Sequence, residues 1–211
     1  MDPGYLVIEG NIGAGKTSLA SMLAEDTGAR FVPEAFAGNP FLSKFYKEPD
    51  RYAFQVELAF LAERYRQIKK ELGQHDLFNA KIVSDYYLPK SIIFSKQTLK
   101  DDELQLFEKL FQIINLQAPK PDLYVYLHLP VDRLLENIRK RGRTNEQGIG
   151  AAYLQRIQDG YFAYFKTQIE MKILVIDTSN IDFVNRKKDY LQLKRLILNK
   201  EYKPGTNMLI L

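Results

Sequence analysis

Apolar residues along the chain fall into two kinds of stretch. Short, nearly continuous runs occur at Tyr5-Leu6-Val7-Ile8, from Ala29 to Pro33, from Ala80 to Asp85, from Leu123 to Leu129 and from Ile173 to Asp177. Runs of this length with no polar alternation predict strands covered on both faces, as in a parallel sheet. Between them the apolar positions take helical spacing. The first such segment runs from Lys16 to about Asp26, with Leu19, Met22 and Leu23 inward and Gly28 as its stop. A long helix is predicted from Pro49-Asp50 to Gly73, then one from Leu99 to Leu116, one from about Val131, one from Ala151 to Ile169 and a last one from near Asp182. Proline and acidic residues at the starts and glycine at the ends supply the boundaries. Alternating strands and helices predict an α/β, three-layer, doubly wound fold: a five-stranded parallel sheet with helices on both faces. No repeat or linker divides residues 1–211, so a single domain is expected. The segment after Lys200 is polar with Pro and Gly before Met208-Leu209-Ile210-Leu211, and is expected to order only against a neighbour.

Two helices break the simple pattern. The long helix carries an apolar stripe of Ala53, Phe54, Leu58, Leu61, Tyr65, Ile68 and Leu72, and Glu57 lies within it, with Arg64 on the same face and Gln55 nearly opposite. A carboxylate on a buried face needs a partner or a function. Glu57 and Arg64 are therefore either a structural pair or a polar wall of a ligand pocket, and spacing alone does not choose. The helix from Leu99 to Leu116 is apolar on more than one side (Leu104, Phe107 and Phe111, but also Leu106 and Ile113), so it has the core and something else to cover.

Composition changes this picture little. Hydrophobic residues make up 45% and the net charge is +4, only mildly basic, which gives no case for nucleic acid. There is no cysteine, so disulfides and thiolate metal sites are excluded. No apolar stretch reaches membrane-spanning length and no leader pattern opens the chain, so a cytoplasmic enzyme with no membrane partner is expected.

The chemistry is concentrated between the first strand and the first helix, in Gly10-Asn11-Ile12-Gly13-Ala14-Gly15-Lys16-Thr17 followed by Ser18. Strand, glycine-rich turn and helix are the context in which G-x-x-x-x-G-K-[ST] binds phosphate. The glycines let successive N–H groups point at one anion, and the helix N-terminus adds its dipole. Lys16 supplies a charge for the β- and γ-phosphates and the Thr17 hydroxyl a ligand for Mg²⁺, so ATP and Mg²⁺ are the expected cofactors. Three further elements suit phosphoryl transfer, which needs positioning and charge neutralisation. Asp85 at a strand end is a candidate for Mg²⁺. Glu34, just past the second strand, is a candidate to accept a hydroxyl proton. The cluster Arg139, Lys140, Arg141 and Arg143, with Gly142 between arginines, reads as a lid over about 139–150. His75 and His128 are expected to be structural.

The chain resembles the deoxynucleoside kinases. The resemblance is carried by Glu9-Gly10-Asn11-Ile12-Gly13-Ala14-Gly15-Lys16-Thr17, Pro33-Glu34, Asn39-Pro40-Phe41 with Tyr46, the run Arg141-Gly142-Arg143-Thr144-Asn145-Glu146-Gln147-Gly148-Ile149 with Tyr153-Leu154, and Asp182-Phe183. It implies Mg²⁺-dependent transfer of the ATP γ-phosphoryl to a deoxynucleoside 5′-hydroxyl, with Glu34 as base. It places Tyr46 and Glu146 on the 3′-hydroxyl, Arg141 and Arg143 on phosphates, Asp182 and Phe183 at the adenine, Arg64 in the base pocket, and a homodimer through packed helices. The chain departs from the family's pattern at Tyr86, where an arginine follows the strand-end acid and whose work would pass to Arg139, Arg143 or nothing. It also departs at Glu57, where a glutamine reads the base, at Ser91, where an aspartate stands, and at Ala35, where a proline is usual. A carboxylate at Glu57 and a small side chain at Ser91 favour a purine base over thymine. Nucleoside monophosphate kinase and a kinase-like binding or assembly subunit are the rival readings.

Overall fold

Successive residues of the inner strands point to opposite sides of the sheet, and here both sides are apolar. The structure, a computed structural model, describes residues 3–35, 39–71 and 81–211. The strands are β1 (Tyr5–Gly10), β2 (Arg30–Val32), β3 (Ile82–Ser84), β4 (Leu123–His128), β5 (Lys172–Asp177) and β6 (Gly205–Ile210). They form one sheet in the order β2-β3-β1-β4-β5-β6, every pair parallel. Leu6, Ile8, Val125, Leu127, Leu174 and Ile176 face one layer, while Tyr5, Val7, Tyr124, Tyr126, Ile173 and Val175 face the other.

The first layer holds α1 (Lys16–Thr27), and two later helices numbered below. Leu19, Ala20 and Leu23 of α1 are fully buried against the sheet, and Gly28 closes the helix in a left-handed conformation. After β2 come α2 (Leu42–Lys47) and the long α3 (Pro49–Glu71), then α4 (Lys90–Thr98) and α5 (Asp101–Asn115) behind β3. Next are α6 (Val131–Arg141), α7 (Ala151–Thr167) and α8 (Lys187–Asn199). α1, α6 and α8 cover one face; α3, α4, α5 and α7 cover the other. No helix of the described residues is long and apolar enough to cross a membrane.

The predicted architecture holds, with corrections. The sheet has six strands, because the terminal segment pairs with β5 from Lys172↔Gly205 to Asp177↔Ile210 and is ordered by its own chain, not by a neighbour. Leu209 and Leu211 pack on the core while Met208 and Ile210 face out. α4 was not foreseen, and the helix expected from Leu99 begins at Asp101. The last helix starts at Lys187 instead of Asp182, since Asp182 accepts from the Asn185 N–H and builds a turn ahead of it. In α3 the buried stripe is Ala53, Val56, Glu57, Leu61, Arg64 and Ile68; Phe54, Leu58 and Tyr65 are only half-buried. The expected strand start at Ala80, the helix end at Leu72-Gly73, and His75 lie outside the described residues.

Candidate active site

The carboxyl ends of β1 and β3 lie side by side at the centre of the sheet, where an open α/β sheet reverses its winding and binds ligands. The turn after β1 is shaped by contacts that exclude side chains. A Cβ on Gly13 would lie 2.7 Å from the Leu134 carbonyl oxygen, and one on Gly15 would lie 2.8 Å from the Phe183 ring. Both glycines have φ near +87°, at 88° and 86°. The turn is pinned from two sides. Asn11 Nδ2 donates to the Leu154 carbonyl of α7 (2.8 Å), and Asn137 Nδ2 of α6 donates to the Gly13 carbonyl (2.9 Å). Beneath it, buried Glu9 accepts from Tyr87 N (3.0 Å) and Tyr161 Oη (3.0 Å).

A cleft of about 530 Å³ opens over this turn, walled by Gly13 to Ser18, by Arg133, Asn137 and Lys140 of α6, and by Asp182 and Phe183. Lys16 Nζ donates to the Asn11 carbonyl (2.9 Å). Burial, and then the nearby Lys90 ammonium, push the Lys16 pKa down to about 8. An incoming polyphosphate would restore the charge. Arg139, expected here, points away: it is exposed and outside the cleft wall, because the face of α6 that meets the turn carries 133, 137, 140 and 141.

A second, smaller pocket of about 100 Å³ lies on the other side of Lys16 and Thr17. Phe45, Tyr46, Val56, Phe60, Phe94 and Tyr153 give it apolar and aromatic walls. Its polar groups are Glu34, Glu57, Arg64, Asp85, Lys90, Arg141 and Glu146. Lys16, Thr17 and Arg141 belong to both cavities, so the two meet at these three side chains. Ile12 lines the smaller one.

Glu34 is held on both oxygens. Arg64 donates to Oε1 through Nη2 (2.6 Å) and Nε (3.2 Å), and Lys90 donates to Oε2 (2.6 Å). Burial alone would raise the Glu34 pKa, but Lys90 and Arg64 more than reverse this and bring it to about 2. The Glu34 N–H donates to Asp85 Oδ1 (2.6 Å), and the Thr17 hydroxyl donates to Asp85 Oδ2. Thr17 and Asp85 are thus two neighbouring oxygen donors that could hold a divalent cation between them.

Glu57 and Arg64 are not a pair. Two helical turns along one face separate their Cα atoms by roughly 10 Å, and Arg64 reaches forward to Glu34 and to Ser91 Oγ (2.6 Å). Glu57 instead accepts from the Thr98 hydroxyl (3.0 Å). Its burial, only partly offset by Arg64, raises its pKa to about 7. Both residues line the smaller pocket, which is the ligand-wall alternative. Ser91 does not line it; the side chain sits behind Arg64 and opens no space for a larger ring. Tyr86 also turns away. It is 1% exposed, packed in the core behind the sheet, and its buried hydroxyl has no hydrogen-bond partner among the described residues. A further cation on this side of the site is Lys90, which the sequence reading missed because it did not recognise α4.

In the lid segment α6 ends at Gly142 with φ 70°, and a 3₁₀ turn follows at Thr144–Glu146. Buried Glu146 accepts from Arg141 Nη2 and from Arg143 Nη1 (3.2 Å). The expected phosphate arginines are therefore tied to the expected sugar-binding carboxylate.

Known proteins match the chain in sequence and in fold. The family model for deoxynucleoside kinase matches residues 6–201. Deoxyguanosine kinase of Bacillus subtilis is 34% identical over 191 residues, covering 88% of this chain and 92% of that protein. Deoxyadenosine kinase of Lactobacillus acidophilus is 29% identical over 204 residues, covering 89% and 93%. Among solved structures, deoxyadenosine kinase from M. mycoides with bound dATP shares the fold at a TM-score of 0.77 and 22% identity, covering 91% of this chain and 98% of that one.

Proposed function

The chain belongs to the deoxynucleoside kinase family, and on that premise we propose that it carries the γ-phosphoryl of Mg²⁺-bound ATP to the 5′-hydroxyl of a purine deoxynucleoside, giving the 5′-monophosphate and ADP. The observation that carries the reading is the meeting of a phosphate cleft and an acceptor pocket at Lys16, Thr17 and Arg141, with Glu34 on the acceptor side. The turn N–H groups and Lys16 hold the β- and γ-phosphates. Thr17 and Asp85 fit Mg²⁺, a hard cation that takes one or two carboxylates and completes its shell with phosphate oxygens and water. That cation would neutralise charge between the β- and γ-phosphates. Phe183, packed on Gly15, supports Asp182-Phe183 as the adenine end of the cleft.

Glu34 receives the 5′-hydroxyl. With its pKa near 2 it is a weak base in the resting site, so its main work is to aim the hydroxyl and accept the proton as the new P–O bond forms. A loose transition state asks for little more. Tyr46 and Glu146, which line the same pocket, bind the 3′-hydroxyl in this reading. A sugar hydroxyl on Glu146 would compete with its hold on Arg141 and Arg143 and free them for phosphate, so that the lid over 139–150 closes on a filled site. We read residues 1–211 as one catalytic domain in a cytoplasmic setting.

Glu57 reads the base in this account. As a carboxylate it offers acceptors only; protonated, it offers a donor as well. Purine edges present amino groups to such acceptors, whereas thymine presents one N–H between two carbonyls. The names of the B. subtilis and L. acidophilus relatives, kinases of deoxyguanosine and deoxyadenosine, support the purine reading. Losing a buried hydrogen-bond partner costs about 1–3 kcal/mol, so Glu57→Gln should change the purine-to-thymidine ratio of kcat/KM about tenfold or more. Because the Glu57 pKa is raised to about 7, the wild-type ratio should also rise between pH 6 and pH 8 as the acid loses its donor. Glu57→Gln should flatten that dependence. A ratio indifferent to both changes would remove Glu57 from base recognition.

A homodimer is part of the proposal. Phe107 and Phe111 of α5 are spent on the core, while Leu106, Ile113 and Leu116 form an outer stripe that is 50%, 63% and 89% exposed. Sedimentation should show a dimer at micromolar concentration, and Ile113→Asp should shift it toward monomer. A wild-type monomer under those conditions would reject the dimer.

A further inference from the structure

Lys90 faces three unfavourable influences, which the Glu34 and Glu9 carboxylates outweigh, so its pKa is raised. Its side chain is 7% exposed, and an ammonium removed from water needs compensation. It is the first residue of α4, at the positive end of the helix dipole. It also lies close enough to Lys16 and Arg64 for mutual repulsion. The stem crosses Phe94, with Nζ 5.7 Å from the ring centroid. The Lys90 charge is thus held in place by Glu34, which it contacts at 2.6 Å, and any work it does is done there.

The hydrogen bonds on Glu34 define that role. A carboxylate oxygen has two lone-pair sites. Both sites of Oε1 are taken by Arg64, through Nε and Nη2. Oε2 accepts from Lys90 at 2.6 Å and, among the described residues, keeps one site open. Lys90 Nζ carries three donors, and Oε2 takes one. The ammonium lines the acceptor pocket together with Lys16, Thr17 and Asp85.

We propose that Lys90 is a positioning and charge-stabilising residue for phosphoryl transfer: it fixes Glu34 Oε2 as the one oxygen open to the acceptor hydroxyl and presents its remaining N–H groups to the arriving phosphoryl group. The inference rests on the reading of Glu34 as the group that receives the 5′-hydroxyl. In the step it serves, the 5′-oxygen forms a bond to the γ-phosphorus while the bond from that phosphorus to the β,γ-bridging oxygen breaks. ADP keeps that electron pair, and the hydroxyl proton passes to Oε2 and then to solvent. Arg64 anchors the carboxylate from behind; Lys90 works on the reacting side. The other charged and titratable groups facing Glu34 or its pocket are Lys16 from the start of α1, Glu9 from β1, Asp85 and Tyr86 from the end of β3, Tyr46 from α2, Glu57 from α3, Arg141 from α6, Glu146 from the turn after it and Tyr161 from α7. Of these Lys16 and Arg141 match Lys90 in charge, and both belong to the phosphate cleft as well.

The test compares Lys90→Met, Lys90→Ala and Glu34→Gln with wild type, using ATP with deoxyguanosine and deoxyadenosine. Lys90→Met keeps the stem over Phe94 and removes the charge. Its kcat should fall roughly 10²–10³-fold, the loss expected for one preorganised donor, while the nucleoside KM moves by less than about fivefold because the base and sugar contacts remain. Lys90→Ala should regain about tenfold or more in kcat with added methylammonium or ethylammonium, and wild type should not respond, because the missing element is a charge at one point. Melting curves confine the comparison to folded protein, and Lys90→Gln replaces Lys90→Met if the latter does not fold. A neutral variant that folds and keeps kcat within about threefold of wild type, beside a Glu34→Gln that loses its own, would overturn the proposal and leave Lys90 a structural counter-ion. If Glu34→Gln keeps its kcat, the reading of Glu34 falls, and the inference falls with it.

Discussion

Lys16→Ala is expected to abolish measurable turnover, a loss of at least about 10³-fold, and to weaken ATP binding while leaving the fold intact. Lys16 is one of three side chains shared by the phosphate cleft and the acceptor pocket. In the proposed reaction it would therefore meet the γ-phosphoryl group on both sides of the transfer. Removing a single preorganised donor in such a site costs about 10²–10³ in rate, and here triphosphate affinity is lost as well. The fold should tolerate the change, because the Lys16 ammonium is itself disfavoured by burial and its pKa is depressed to about 8. Steady-state kinetics and calorimetric ATP binding give the answer. An unchanged rate and affinity in Lys16→Ala would remove the glycine-rich turn from catalysis.

Glu34→Gln should lower kcat by roughly 10²–10⁴-fold, since it keeps the size and removes the proton acceptor. The ion pairs add a second consequence. Arg64 and Lys90, 5% and 7% exposed, would lose their shared carboxylate. Breaking a buried pair from one side commonly costs about 3–5 kcal/mol. The glutamine carbonyl still accepts from Arg64, so the lower part of that range applies. In a chain of this size it corresponds to a fall in Tm of roughly 6–12 °C. The pH dependence has a definite sign. The folded-state pKa near 2 lies below the ordinary value of 4.5. Glu34 therefore stabilises the fold fully above pH 4.5, and its contribution is lost as pH falls from there toward 2. Wild type should lose stability over that window more steeply than Glu34→Gln. A variant that keeps most of its kcat would move the acceptor of the proton elsewhere, with Asp85 the nearest carboxylate.

What the sequence disclosed depends on whether the chemistry is local. The turn from Gly10 to Thr17 is legible because strand, turn and helix are contiguous and three glycines must sit where a side chain does not fit. The central strands are legible because β1, β4 and β5 are buried on both faces and read as unbroken apolar runs. β6 was missed because Met208-Leu209-Ile210-Leu211 is short and follows Pro and Gly, and its partner β5 lies about thirty positions away, as the register Lys172↔Gly205 shows. α4 was missed, although Pro89 precedes it, because its first turn holds no acid and buries a lysine, the opposite of the acidic start that signals a helix. With α4 unseen, Lys90 carried no sign of its role. The same loss affected Arg64: spacing within α3 offered Glu57 as its partner, but the groups it holds, Glu34 and Ser91, come from the end of β2 and from α4. Side chains that meet across elements leave no periodicity to read. Glu57, by contrast, was identifiable as a buried acid on an apolar face, and its pocket position follows from that anomaly.

The most direct test of the account is coupled ADP release from ATP and Mg²⁺ with a panel of deoxyguanosine, deoxyadenosine, deoxycytidine, thymidine and the corresponding 5′-monophosphates. The account predicts ADP release with the purine deoxynucleosides at a higher kcat/KM than with thymidine, and none above background with the monophosphates. Release driven by monophosphates alone would make the enzyme a nucleoside monophosphate kinase. No release with any acceptor, from protein that binds ATP, would contradict phosphoryl transfer at this site altogether.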